Sequence, residues 1–172
     1  MRTLLPAETL AARVRELGAE IAEHYRSRDP DLLVVPVLKG SFVFAADLVR
    51  AIDLPLTVDF LAVRSYEGTR SSGRVETLLD LSEPVEGRDV LVVEDIVDTG
   101  LTLRSILTGL ADRGAASVRV ATLLHKPSRT QVEVALDYVG FTIEDRFVVG
   151  YGLDLDGRYR NHPDLVTLED DP

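Results

Sequence analysis

Apolar residues along this chain follow two rhythms, one of three to four residues and one of short continuous runs. Leu10, Val14, Leu17, Ile21 and Tyr25 keep the first spacing, which predicts an amphipathic helix over about residues 7–27. LLVVPVL (32–38) is a short apolar run of strand type. Its Pro36 removes a ladder donor, so a bulge or a partly unpaired position is expected there. After Lys39-Gly40, SFVFAADLVRAI reads as a second helix and LTVDFLAV (56–63) as a further strand. SYEGTRSSG (65–73), rich in Ser and Gly, has the composition of a mobile loop. RVETLLDL returns as a strand, so residues 56–81 form a long hairpin-like excursion. DVLVV (89–93) is a buried-type strand, and Leu103, Ile106, Leu107 and Leu110 give the helix after it a core face that ends at Gly114. SVRVATLL (117–124) follows, then a loop through HKPSRTQ, then two short strands in VALDYVG and RFVVGYG. Strands alternating with helices imply an α/β domain with a mainly parallel central sheet flanked by helices. No repeat, low-complexity segment or linker divides residues 1–172, so a single domain is expected.

Composition narrows the class. An apolar fraction of 45% and a charged fraction of 28% are those of an ordinary globular chain. No apolar run is long enough to cross a bilayer. Glu8 and Arg13 fall too early for a secretory signal core, which makes a cytoplasmic location the expectation. The absence of cysteine excludes disulfides, thiolate nucleophiles and Cys-ligated zinc. His24, His125 and His162 lie far apart with no metal-ligand spacing, and each reads as an ordinary surface or half-buried histidine. A net charge of −10 repels nucleic acid and anionic lipid, so neither is an expected partner. An anionic small molecule can bind only where dipoles, a few cations or a metal overcome that field. Of the 19 basic residues only Lys39 and Lys126 are lysine, which marks two positions that want a compact, rotatable ammonium.

The stretch VLVVEDIVDTGLTL (90–103) carries the candidate chemistry. An apolar strand runs into Glu94, Asp95 and Asp98, and a small polar turn follows. In parallel α/β sheets ligands bind beyond the carboxyl ends of the strands, where the next helix begins. Uncapped N–H groups and the helix dipole make Thr99 to Thr102 a seat for phosphate, with Gly100 allowing close approach. Neighbouring carboxylates suit a vicinal diol or a hydrated magnesium ion. Phosphate, diol and metal together describe a phosphorylated sugar.

This stretch resembles the phosphoribosyl pyrophosphate signature of type I phosphoribosyltransferases. LKGSF (38–42), Ser65-Tyr66, VEDIVDTGLTL (93–103), LLHKP (123–127) and FVVGYGLDLDGRYRN (147–161) look like successive blocks of the hypoxanthine-guanine phosphoribosyltransferase family, in that family's order. The resemblance implies the type I phosphoribosyltransferase fold with a small hood region. It also implies transfer of a phosphoribosyl group to a 6-oxopurine with loss of pyrophosphate, and a homodimer or homotetramer. By resemblance Glu94 and Asp95 take the ribose hydroxyls, and Asp98 accepts the proton of the purine imidazole edge. Asp98, Ile96, Val97, Thr99, Gly100, Leu101 and Thr102 form the ribose-phosphate loop. Lys39, Gly40, Ser65, Tyr66 and Arg160 belong to pyrophosphate, with the Leu38-Lys39 peptide able to be cis. Lys126, Phe147, Val148 and Asp154 belong to the purine, and Glu94, Asp95 and Asp154 to Mg2+ as cofactor. Without the resemblance, Phe147 in FVVGY reads as core packing and Tyr66 as an ordinary loop residue.

Other motifs fail. DLDG (154–157) echoes the DxDG of haloacid dehalogenase-type phosphatases, but Arg158 replaces the small or apolar residue expected next. As a calcium loop from Asp154 it would carry Leu165 where the twelfth-position acid is needed. No Walker-type G-x-x-x-x-G-K occurs, and VGYG lacks the third glycine of a dinucleotide fingerprint. A phosphoribosyltransferase fold used as a nucleic-acid regulator would need a basic face or an added nucleic-acid module, and the net charge of −10 argues against it.

Overall fold

The computed structural model describes residues 1–27, 31–65 and 75–168. Along them run β1 (Arg2–Leu5), α1 (Ala7–Arg26), β2 (Leu32–Leu38), α2 (Phe42–Ala51), β3 (Thr57–Val58), β4 (Leu61–Ser65) and β5 (Val75–Leu79). Then come β6 (Asp89–Val97), α3 (Leu101–Asp112), β7 (Ser117–His125), β8 (Tyr138–Thr142), β9 (Val148–Val149) and β10 (Leu165–Thr167). The main sheet has the order β5-β4-β2-β6-β7-β8, with β3 also paired to β2. Every pairing in it is parallel except β4 with β5.

Continuous apolar runs form its centre because both faces are covered. Successive strand residues point to opposite sides. Val34, Leu91 and Val93 accordingly pack under α1 and α2 with Leu10, Leu17, Ile21, Phe44 and Leu48. Leu33, Val35, Val90 and Val92 face the other way, against Leu103, Ile106 and Leu110 of α3. Each such side chain, fully buried, contributes about 1.5–3 kcal/mol.

Pro36 lies in a central strand without a bulge on the β6 side, in unbroken register opposite Val93. The other flank accommodates it. β2 pairs with β3 at Leu33 and Val34 and with β4 at Val37 and Leu38, leaving a gap opposite Val35 and Pro36. The Val34 carbonyl accepts from Asp59 N on that flank. Alternate residues aim their polar groups the same way, so the N–H that proline lacks would also face the gap. The expectation of a partly unpaired position therefore holds.

The expected strand over 56–63 is two pieces, because Asp59 turns aside to accept N–H bonds from Phe60, Ser82 and Glu83 at 2.8, 2.7 and 2.8 Å. These bonds close the base of the β4–β5 excursion, whose antiparallel pairing agrees with the hairpin-like reading. β6 runs four residues past the expected strand, to Val97, since β7 continues alongside and registers Glu94 with Thr122 and Ile96 with Leu124. Glu94 and Asp95 thus lie in the strand itself, not beyond its exit.

β1 and β10 are too short to leave a periodic trace and are not anticipated. With β9 they make a separate antiparallel sheet, β1-β10-β9, the small accessory element beside the main sheet. It also ties the start of α1. Pro6 offers that helix no side-chain cap, and Asp164 Oδ1 accepts from Ala7 N at 2.7 Å instead. Among the described residues no helix is long and apolar enough to cross a membrane.

Candidate active site

The carboxyl ends of β2, β6 and β7 converge, and each carries one of the motifs. Lys39-Gly40 leaves β2, Asp98 to Gly100 connects β6 to α3, and Lys126 follows β7. Leu38-Lys39 is a cis peptide. Buried Ser41 donates its hydroxyl to Val37 O at 2.6 Å and pins this turn to the strand below it.

A cavity of about 460 Å³ opens above these ends, lined by Asp95, Ile96, Asp98, Lys126, Arg129, Asp145, Phe147, Val148, Leu153 and Asp154. A smaller recess of about 80 Å³ adjoins it, lined by Glu94, Ile96, Val97, Asp98, Thr99, Gly100, Thr102 and Leu103. The recess sits at the head of α3. Gly100 there has φ 79 and supplies no side-chain cap, and the first turn of α3 carries no acid. Leu101 N donates to Thr99 Oγ1 at 3.4 Å, and an anion would find the next N–H groups of the turn and the positive end of the dipole. Behind the turn, Gln131 N and Val132 N donate to Thr99 O, and a Cβ on Gly100 would come within 2.2 Å of Val132 O.

The acids differ in their surroundings. Burial, then the neighbouring charge of Asp95, pushes the Glu94 carboxyl well above the usual carboxylate range. Burial raises Asp95 to about 6, opposed by N–H donation from Ile96 and by the Arg160 guanidinium. Asp98 accepts from Thr99 N. Buried Glu94 and half-buried Asp95 are poised to gain from a donor or cation arriving in the cleft.

Residues far apart in sequence close the other wall. Arg160 places Nη2 2.6 Å from Asp154 Oδ1 and donates Nη1 to Gly152 O at 2.6 Å. Gly157 N donates to Asp154 Oδ2 at 2.6 Å. Gly152, at φ 102, lies against Gly40 O, so the segment holding Asp154 and Arg160 rests directly on the Lys39-Gly40 loop. Tyr151 OH donates to Asp47 at 2.6 Å and fastens the same segment to α2.

Of the anticipated site residues, Asp95, Ile96, Asp98, Lys126, Phe147, Val148 and Asp154 line the cavity, and Glu94, Val97, Thr99, Gly100 and Thr102 line the recess. Leu101 opens α3. Gly40 and Arg160 stand at the border through the contacts above, and exposed Lys39 directly precedes Gly40. Ser65 ends β4 at the hairpin, and Tyr66 lies outside the described residues. Arg129, Asp145 and Leu153 are not foreseen. Arg129 is one of 17 arginines and Asp145 sits in a short polar link, so neither carries a local signal.

Comparison with known proteins establishes the family of the chain. The phosphoribosyl transferase domain matches residues 2–156, and the chain belongs to that family. More particularly, it is 50% identical over 171 residues to the hypoxanthine-guanine phosphoribosyltransferase of Mycobacterium avium, covering 96% of this chain and 84% of that one. The Bacillus subtilis protein of the same name is 45% identical, covering 98% of this chain and 93% of that one. A hypoxanthine phosphoribosyltransferase structure from Staphylococcus aureus aligns with a TM-score of 0.94 at 43% identity, covering 98% of this chain and 91% of that one.

Proposed function

We propose that this chain is a purine salvage enzyme that transfers the phosphoribosyl group of phosphoribosyl pyrophosphate to hypoxanthine and guanine, releasing pyrophosphate. The observation that carries the reading is the meeting of the Lys126 ammonium, the Asp98 carboxylate and the Phe147 ring around one cavity, with the anion-friendly recess beside it. In this reading a purine stacks on Phe147 and uses backbone groups of Val148, while Lys126 donates to its 6-oxo oxygen. Adenine would present an amino donor to the same ammonium, a mismatch of about 1–3 kcal/mol. Asp98 takes the proton of the imidazole edge, which becomes acidic only as the nitrogen bonds to the anomeric carbon.

Glu94 and Asp95 accept from the ribose hydroxyls. Thr99, Thr102 and the N–H groups of the Asp98-to-Thr102 turn hold the 5′-phosphate, walled by Ile96, Val97 and Leu101. Lys39, Gly40 and Arg160 hold the pyrophosphate, the group to which the family resemblance also assigns Ser65 and Tyr66. The transition state has oxocarbenium character, so aligning base and sugar and excluding water are the main tasks of the protein. The donor set fits magnesium. Asp95 and Asp154 line one cavity, with Glu94 adjoining, and among the described residues no group of three acids is pre-assembled into a cage. Magnesium characteristically takes one or two carboxylates together with substrate phosphates. When bound it would supply positive charge for the departing pyrophosphate. A cytoplasmic homodimer or homotetramer completes the proposal, and light scattering measures the assembly.

The test is a turnover panel with magnesium and phosphoribosyl pyrophosphate, offering one base at a time. Hypoxanthine and guanine are expected to react, xanthine weakly at most, and adenine not at all. Turnover of adenine without turnover of hypoxanthine would reject the assignment.

A further inference from the structure

Beyond Lys126, the loop after β7 brings a second cation into the same cavity. Lys126 Nζ lies 3.6 Å from Asp145 Oδ1, and Arg129 Nη1 lies 3.5 Å from Asp145 Oδ2. Arg129 Nε lies 3.7 Å from Asp98 Oδ2. Each oxygen of Asp145 therefore serves one cation, and charge alternates through Lys126, Asp145, Arg129 and Asp98. All four line the cavity. The neighbouring Glu144 and Arg146 are paired with each other at 2.7 Å.

Ion pairs in open water contribute little, and Asp145 and Arg129 are 46% and 50% exposed. Occupancy changes that. A purine laid on Phe147 displaces water from this wall, and the same charges then act in a lower dielectric where their arrangement matters more. Without Asp145, Lys126 would face Arg129 with no anion between them, and Arg129 would be drawn onto its remaining partner, Asp98.

Resting on the reading of this cavity as the purine site, we infer that Asp145 is a positioning residue that aims the Lys126 ammonium at the base and keeps Arg129 from occupying Asp98. The residue so placed touches neither the sugar nor its phosphates. Its removal should therefore divide the two substrates, which general damage to the fold would not do.

The experiment is steady-state kinetics of the full chain with hypoxanthine and magnesium phosphoribosyl pyrophosphate. It compares wild type, Asp145→Asn, Arg129→Gln, the double variant and Asp145→Glu. Asp145→Asn is expected to raise KM for hypoxanthine about tenfold and lower kcat about tenfold, with KM for the sugar donor changed less than about twofold. Adding Arg129→Gln should recover most of the kcat loss but not the KM, because it removes the cation that would seal Asp98. Asp145→Glu, which keeps the charge, should lie between wild type and Asp145→Asn. An unchanged purine KM in Asp145→Asn overturns the inference. So do equal rises in both KM values, or losses in kcat that multiply in the double variant. Wild-type protein inert toward hypoxanthine would instead reject the purine-site reading on which the inference rests.

Discussion

Gly40 is the position where the site has least room. A Cβ there would fall 1.5 Å from Asp95 Oδ2, and Gly40 O already stands 2.4 Å from where a Cβ on Gly152 would lie. Gly40→Ala must therefore displace the Asp95 carboxylate or the loop bearing Lys39. We expect it to lower kcat/KM with hypoxanthine by about 100-fold or more, since displacements near 1 Å carry such losses. Kinetics indistinguishable from wild type would mean that the Asp95–Gly40 contact has no bearing on the reaction. Asp98→Asn keeps the shape of the side chain and removes its basicity. Turnover is expected to fall by about 10²–10⁴-fold while the affinity for phosphoribosyl pyrophosphate changes little. Equal losses in turnover and donor affinity would move Asp98 from proton acceptor to sugar ligand. Asp98 and Lys126 are legible in the sequence because each sits at the end of a recognisable strand. Arg129 and Asp145, in irregular links, are not.

Among the elements, the β4–β5 excursion depends on one carboxylate at its base. Slight burial pushes the Asp59 carboxyl up, but N–H groups of Glu83, Phe60 and Ser82 and the Ser82 hydroxyl outweigh it and leave the group below the usual range. A depressed folded-state value stabilises the fold above the unfolded pKa, and that contribution disappears as pH falls through the folded value. Asp59→Asn should therefore lower Tm by a constant amount at neutral pH, with the gap to wild type shrinking only below about pH 4. A gap that closes already between about pH 7 and 5 would rule out this carboxylate as its source. β6 and α3 make the complementary point. The ladder to β7 carries the strand through Glu94 and Asp95, so these acids are held by backbone pairing in place of a flexible turn. Their rigidity is what allows burial to act on them.

For the whole molecule, the formal charge of −10 sets the terms of binding. The proposed ligand is strongly anionic, and the cleft and its border offer it Lys126, Arg129 and Arg160 against Glu94, Asp95, Asp98, Asp145 and Asp154. Dipoles and a divalent cation must supply the remainder. Phosphoribosyl pyrophosphate with magnesium is accordingly expected to raise Tm, by the equivalent of about 2.7 kcal/mol at a hundredfold excess over Kd. Chelating the magnesium should remove most of that shift. A shift of the same size with chelator present would dispose of the metal-assisted reading. Hypoxanthine alone should stabilise the protein less, because the cavity it enters stays open to water on the sugar side.

The sequence by itself determined the layers and the central chemistry. The face of α1 and the runs in β2, β6 and β7 must be buried against something, whatever the partner, so their periodicity is visible without the fold. Glu94 to Thr102 is equally visible, because its acids, turn and helix start are contiguous along the chain. Only the tertiary structure decided which distant backbones lie together. β1 pairs with β10, Asp164 caps α1, the gap between β3 and β4 receives Pro36, and Gly152 rests on Gly40. Such contacts join single residues far apart in the chain, so they impose no repeat on it. The charges of Arg129 and Asp145 gain a role only once the fold has set them 3.5 Å apart on the wall of one cavity.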